Sequence, residues 1–158
     1  MHAREAYPEL KMANCEAALR NSVVAMEANA LSYTLWCYAH DHTEAWGDGW
    51  NREDLSIYSP AAAREVGRDA DPAGVYAGGR ALRAFVRPYA TAVPGAIEEP
   101  PRFDDESGAF CLRFRHDVLG PPALVFVPAN VQYADGYEVE VSDGTTSKEV
   151  AAASAGGL

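Results

Sequence analysis

Residues 31–38, LSYTLWCY, constrain the fold of this chain more than any other segment. The run is aromatic and β-prone, and only Ser32 and Thr34 interrupt it as small polar residues. A strand of that composition is buried on both faces, which is the habit of a parallel sheet covered by helices. Upstream, Leu19, Val23, Met26 and Ala30 recur at helical spacing while Glu16, Arg20 and Glu27 fall on other faces. This predicts an amphipathic helix over 12–29, closing near Asn29, a residue tolerated in the left-handed conformation. A helix followed closely by a doubly buried strand is half of a βαβ repeat.

Residues 39–78 then form an irregular stretch far longer than an ordinary connection, with GDG, SP and DP turn signals. Trp46, Trp50 and Tyr58 predict order in its first half, and AAAREVGRDADPAGVYAGG predicts flexibility in its second. A short helix is expected over 80–87, stopped by Pro88. Beyond a Pro-containing linker at 89–101 the period changes. In AFCLRFR, residues 109–115, Phe110, Leu112 and Phe114 alternate with Cys111, Arg113 and Arg115, as in a half-buried antiparallel strand. Strands are also expected over 124–127 and 137–141, with a turn at Ser142-Asp143-Gly144. Periodicity thus gives an α/β piece over 1–88, a linker at 89–101, a partial all-β sandwich over 102–150 and a frayed tail at 151–158.

Charge narrows the function classes. The formal net charge is −10 and no basic stripe occurs, which argues against nucleic-acid binding by phosphate neutralisation. Cys15, Cys37 and Cys111 are distant from one another and form no CxxC pair, so reduced thiols are expected rather than a disulfide framework or a thiolate zinc site. The N-terminus has no apolar signal region and no apolar run is long enough to span a bilayer, from which a cytoplasmic location is expected, with contact at a membrane surface left open.

The residues that could carry chemistry cluster around the first strand and its loop. A side chain near the C-terminal end of a barrel-type strand faces the active site, and Trp36 holds that place. Indole stacks on the C–H face of a pyranose, while its N–H can reach a hydroxyl; the alternative is a Trp that simply packs in the core. Downstream, Asp41, Asp48, Trp50 and Asn51 supply carboxylates, an amide and a second indole, the mixture that a sugar site needs; turn-forming and rim-packing roles stand beside that reading. His40, Asp41, His42 and Glu44 suggest a metal cluster, but only the isolated His116 could add a further ligand, so no metal and no cofactor are expected. Glu53 and Asp54 are adjacent and so point in different directions, whereas a retaining glycosidase needs two carboxyl groups facing each other ~5–5.5 Å apart. They are expected to be solvated or turn-capping.

The run TLWCYAHDHTEAWGDGWNREDLSIYSP followed by GGRALRAFVRPYA resembles the end of the catalytic barrel in family 5 glycoside hydrolases of the endoglycoceramidase-like branch, which includes fungal glucosylceramidases and steryl β-glucosidases. VFVPANVQY and VEVSDG similarly resemble the β-rich domain that follows that barrel. The resemblance implies that 31–38 is the eighth strand of a (β/α)8 barrel, that Trp36 floors the glycone subsite and that 80–87 is the last barrel helix. It departs from the pattern at Cys37, where Asn is usual, and at His40, where a small residue or Pro is usual. The family's general acid/base sits in an Asn-Glu-Pro context that this sequence lacks, and both catalytic Glu residues are expected to precede the chain. A complete barrel takes ~250 residues, more than are present before the β-rich part begins.

The implied function is a fragment of a retaining β-glycosidase that hydrolyses glucosylated lipids, contributing binding surface rather than catalytic carboxylates. Two other readings stay open: a non-catalytic β-sandwich module that binds lipid or carbohydrate, and an incomplete gene product with no independent role.

Overall fold

The structure, a computed structural model, describes residues 12–43, 46–49, 54–60, 76–117, 119–142 and 147–153. The chain divides into two compact units, one ending at Phe85 and the other beginning at Val86.

In the first unit, α1 spans Met12–Ala28 and packs against the short α2, Leu82–Phe85. Val23 on α1 and Ala84 on α2 are buried apolar side chains of this unit, whereas Met26 on the expected apolar stripe is exposed. The left-handed closing residue lies one position beyond the expected Asn29, while the helix itself ends at Ala28. Ala30 takes the left-handed conformation (φ 51°), Ala30 N–H donates to Glu27 O (3.0 Å) and Leu31 N–H donates to Met26 O (3.0 Å). That pair of bonds is a Schellman motif. Asn29 instead donates its side-chain amide to Ala25 O (2.8 Å).

Residues 31–38 join no β-ladder among the described residues, which departs from the expected strand. A strand is made by its partners, and here the neighbouring backbone pairs with this segment at single points only, Ile57 N–H donating to Cys37 O (2.9 Å) among them.

The second unit is built of small antiparallel sheets. β1 (Tyr89–Ala92) pairs with β6 (Leu124–Phe126), β2 (Gly95–Ile97) with β5 (Phe114–His116), β3 (Arg102–Phe103) with β4 (Phe110–Cys111) and β7 (Tyr137–Ser142) with β8 (Ser147–Ala153). A single helical turn, α3 (Ala129–Gln132), sits between β6 and β7. The stretch expected as a linker therefore carries β1 and β2. Its prolines lie between the strands, at Pro94 and at Pro100-Pro101, where no ladder N–H is required. The expected strand over 109–115 is broken between β4 and β5, because its two halves pair with different partners. β8 extends into the expected tail, pairing with β7 as far as Ala153.

Arg87 organises this unit. Its guanidinium is 2% exposed, donates to Asp105 Oδ1 (2.7 Å) and Phe103 O (3.3 Å), and lies 4.6 Å over the Phe103 ring. Phe103 meets Tyr133 edge-on at 6.4 Å, and Tyr133 meets Tyr137 at 5.6 Å. Gln132 donates its side-chain amide to Val86 O (2.9 Å), which fixes α3 against the start of the unit.

Candidate functional site

Three passes of the first unit's backbone are tied together beside Trp36. Ile57 N–H donates to Cys37 O (2.9 Å), Arg80 N–H to Ile57 O (2.8 Å) and Ser59 N–H to Gly78 O (2.8 Å). The buried Ser56 hydroxyl adds a fourth tie: it accepts from the N–H groups of Ala39 and Tyr58 (3.1 Å each) and donates to Tyr58 O (2.8 Å). The Tyr38 and Tyr58 rings follow suit, 5.3 Å apart.

Asp54 is the electrostatic centre of these passes. Arg80 grips it with both arms of the guanidinium, Nη1 to Oδ1 (2.6 Å) and Nη2 to Oδ2 (3.1 Å), and Nη1 also donates to Ser56 O (3.1 Å). The fork geometry matches a carboxylate, which makes this the strong form of the pair. His42 Nε2 lies 2.7 Å from Asp54 Oδ1. A carboxylate can only accept, so Nε2 carries the proton. The His42 side chain is 1% exposed and its Nδ1 is buried without a hydrogen-bond partner among the described residues.

Burial raises the Asp54 carboxyl, but the hydrogen bonds and charge of Arg80, joined by those of His42, outweigh it and hold the group below the ordinary carboxylate value. Because the folded value is the lower one, this pairing contributes stability that is complete above ~3.9 and is lost as pH falls through the folded value. Thermal melts followed by helical circular dichroism should show a loss below about pH 4 that shrinks in Asp54→Asn. An equal acid loss in both proteins would remove Asp54 as its source.

The Asp48 carboxylate is held at the same place. Leu55 N–H donates to its Oδ2 (3.3 Å), and the Cys37 thiol donates to the same oxygen (3.8 Å). Burial, followed by the charge and hydrogen bond of Asp48, pushes the Cys37 thiol up, which keeps it a protonated donor. Trp36, next in the chain and joined to Cys37 by a cis peptide bond, is 71% exposed. Beyond it, Thr43 and Gly47 exchange both backbone hydrogen bonds (3.0 and 2.8 Å), with Gly47 at φ 61°, so that the exposed Trp46 stands on a tight turn.

Of the residues expected at a site, Trp36 and Asp48 are thus linked through Cys37, and Asp41 is exposed on the turn just before His42. Trp50 and Asn51 lie outside the described residues, as do Glu44 and Glu53. Asp54 is not a solvated carboxylate; the Arg80 fork takes both its oxygens. His42 serves that pair, and among the described residues no group of three His, Cys, Asp or Glu is arranged to hold a metal ion. The His42–Asp54–Arg80 cluster was not visible as a unit in the sequence. Its members are distant along the chain, and the one signal was a guanidinium and an imidazole flanking a long loop that ends in a carboxylate.

Residues 87–155 match the glycoside hydrolase family 5 C-terminal domain. The crystal structure of Cryptococcus neoformans sterylglucosidase 1 superposes on 85% of the chain with a TM-score of 0.66 and 27% identity, taking in both units. The chain belongs to the family 5 glycoside hydrolases, in their C-terminal part. Among curated relatives, the Rhizopus delemar glucosylceramidase is 33% identical over 114 residues, 67% of this chain and 16% of that protein. The Saccharomyces cerevisiae ergosteryl-beta-glucosidase is 45% identical over 60 residues, 38% of this chain and 8% of that protein. The chain therefore spans less than a fifth of the length of these two relatives.

Proposed function

We propose that this chain is the sugar-facing end of a retaining β-glycosidase acting on glucosylated lipids, with Trp36 as the stacking platform. The observation that carries the proposal is a large indole left 71% exposed on a segment whose backbone is tied on several sides. A ring presented in that way is available to a pyranose face. Asp48 is joined to the adjacent Cys37 thiol, Asp41 lies on a turn further along the chain, and Trp50 and Asn51 follow in sequence as further subsite candidates. The relatives' names, ergosteryl-beta-glucosidase and glucosylceramidase, support a glucosylated lipid as substrate, with sterol or ceramide as the aglycone.

In this reading 31–38 is the last barrel strand, whose ladder partners are other barrel strands, and α2 belongs to the last barrel helix. Protonation of the glycosidic oxygen and formation of the glycosyl-enzyme fall to two facing carboxyl groups, neither assigned to a residue here. Reaching a lipid glucoside requires contact with a lipid surface, and among the described residues no helix is long and apolar enough to cross a membrane.

The test is a titration of the purified chain with glucosylceramide-containing vesicles and with a soluble β-glucoside. Trp36→Ala should weaken binding about tenfold, a loss of ~1.4 kcal/mol. Unchanged affinity in that variant sinks the platform role. The match of the second unit to a C-terminal domain favours one other reading, an accessory module that binds on its own; binding that survives deletion of 1–88 would select it.

A further inference from the structure

We infer that Asp54, gripped by Arg80 and His42, is a positioning residue for the sugar platform, acting on Trp36 through Asp48 and Cys37. The inference rests on the reading of Trp36 as that platform. An indole exposed over most of its surface receives little orientation from packing around its ring, so its attitude must come from the backbone that bears it. Here the backbone is set by a short relay. Asp54 is fixed on one side by the Arg80 fork (2.6 and 3.1 Å) and on the other by His42 Nε2 (2.7 Å). The next peptide N–H, that of Leu55, holds Asp48 Oδ2 (3.3 Å). That oxygen takes the Cys37 thiol (3.8 Å), and Cys37 O takes Ile57 N–H (2.9 Å). Trp36 is the residue immediately before Cys37.

Energetics point the same way. Ion pairs withdrawn from water add little net stability over apolar residues of similar volume, because desolvation offsets attraction. His42 is buried with Nδ1 lacking a described partner, which adds a further cost. What the cluster supplies is geometry. It fixes where His42, at one end of the aromatic loop, stands relative to Asp54 at the other, and it locks both to Arg80. A platform that must present one face to a pyranose needs its support held to within about 0.5 Å.

The experiment uses the full chain. With Trp46→Phe and Trp50→Phe, Trp36 becomes the single indole, since the sequence holds three Trp. Its time-resolved anisotropy then reads its mobility without any ligand, and binding of methyl β-glucoside is measured separately by calorimetry in the parent with all its indoles. Asp54→Asn is expected to add a fast depolarising component to Trp36 and to weaken glucoside binding about tenfold, with helical circular dichroism retained. Arg80→Lys, which keeps the charge and loses the fork, should fall between parent and Asp54→Asn.

A folded Asp54→Asn with unchanged Trp36 anisotropy overturns the inference. If Asp54→Asn does not fold, Arg80→Lys decides: parental anisotropy and affinity there overturn it equally. A parent that binds no glucoside, or binds it as well after Trp36→Ala, defeats the platform reading instead, and the anisotropy separates that failure from a failure of the positioning relay.

Discussion

Gly95→Ala is expected to unfold the β-rich unit or to leave it barely folded at room temperature. Gly95 opens β2 at φ 141°, a conformation that L side chains rarely adopt, and a Cβ built there collides with the carbonyl oxygen of Arg115. That oxygen belongs to β5, the strand paired with β2, and Asp117 N–H is committed to Pro94 O (2.7 Å) on the same edge. The obstacle is backbone, so no rotamer change relieves it. Strained φ and steric overlap together should cost about 3 kcal/mol or more, a large fraction of what a small domain has. Denaturant unfolding followed by near-ultraviolet circular dichroism would record it, and a midpoint equal to that of the parent would mean that β2 is not seated on β5 as described.

Asp105→Ala should be nearly as damaging in the same unit. It takes the carboxylate from a guanidinium that is 2% exposed, leaving Phe103 O and the Phe103 ring among the contacts that face the charge. Removing one member of a buried pair costs about 3 kcal/mol, because the remaining charge is kept from water. Discounting for Asp105, whose side chain is 28% exposed, still leaves an expected fall in melting midpoint of roughly 10 °C. Replacing both residues, Arg87→Met with Asp105→Ala, should recover part of the loss. A double variant no better than the single one would show that the guanidinium stem, rather than its charge, fills the site.

What was legible in the sequence follows from the range of each interaction. Helix α1 declared itself through Leu19, Val23 and Met26, since its hydrogen bonds are local, and its end was placed within a residue. Strands β5, β6 and β7 were expected, while β1 and β2 were read as linker because Pro94, Pro100 and Pro101 mask the short strands beside them. β8 was not expected, its three alanines giving no alternation to read. At the site, Trp36 and Asp48 were singled out by residue type. Asp54 was expected to be solvated or turn-capping, because nothing in a linear sequence indicates that Arg80 will return to meet it. Resemblance supplied the family, where periodicity alone stopped at an α/β piece joined to a β piece.

The Tyr58–Gly79 bridge and the Ser59–Gly78 hydrogen bond pinch the chain together on the near side of Asp54 and Arg80. For evolution this is an insertion point. With both ends of a connection pinned, each doubling of its length adds only ~0.6 kcal/mol of closure entropy. Descendants can therefore lengthen, shorten or rewrite what lies between Pro60 and Tyr76 while the Asp54–Arg80 clamp stays in place. Diversity in that stretch and constancy in the clamp can be selected separately.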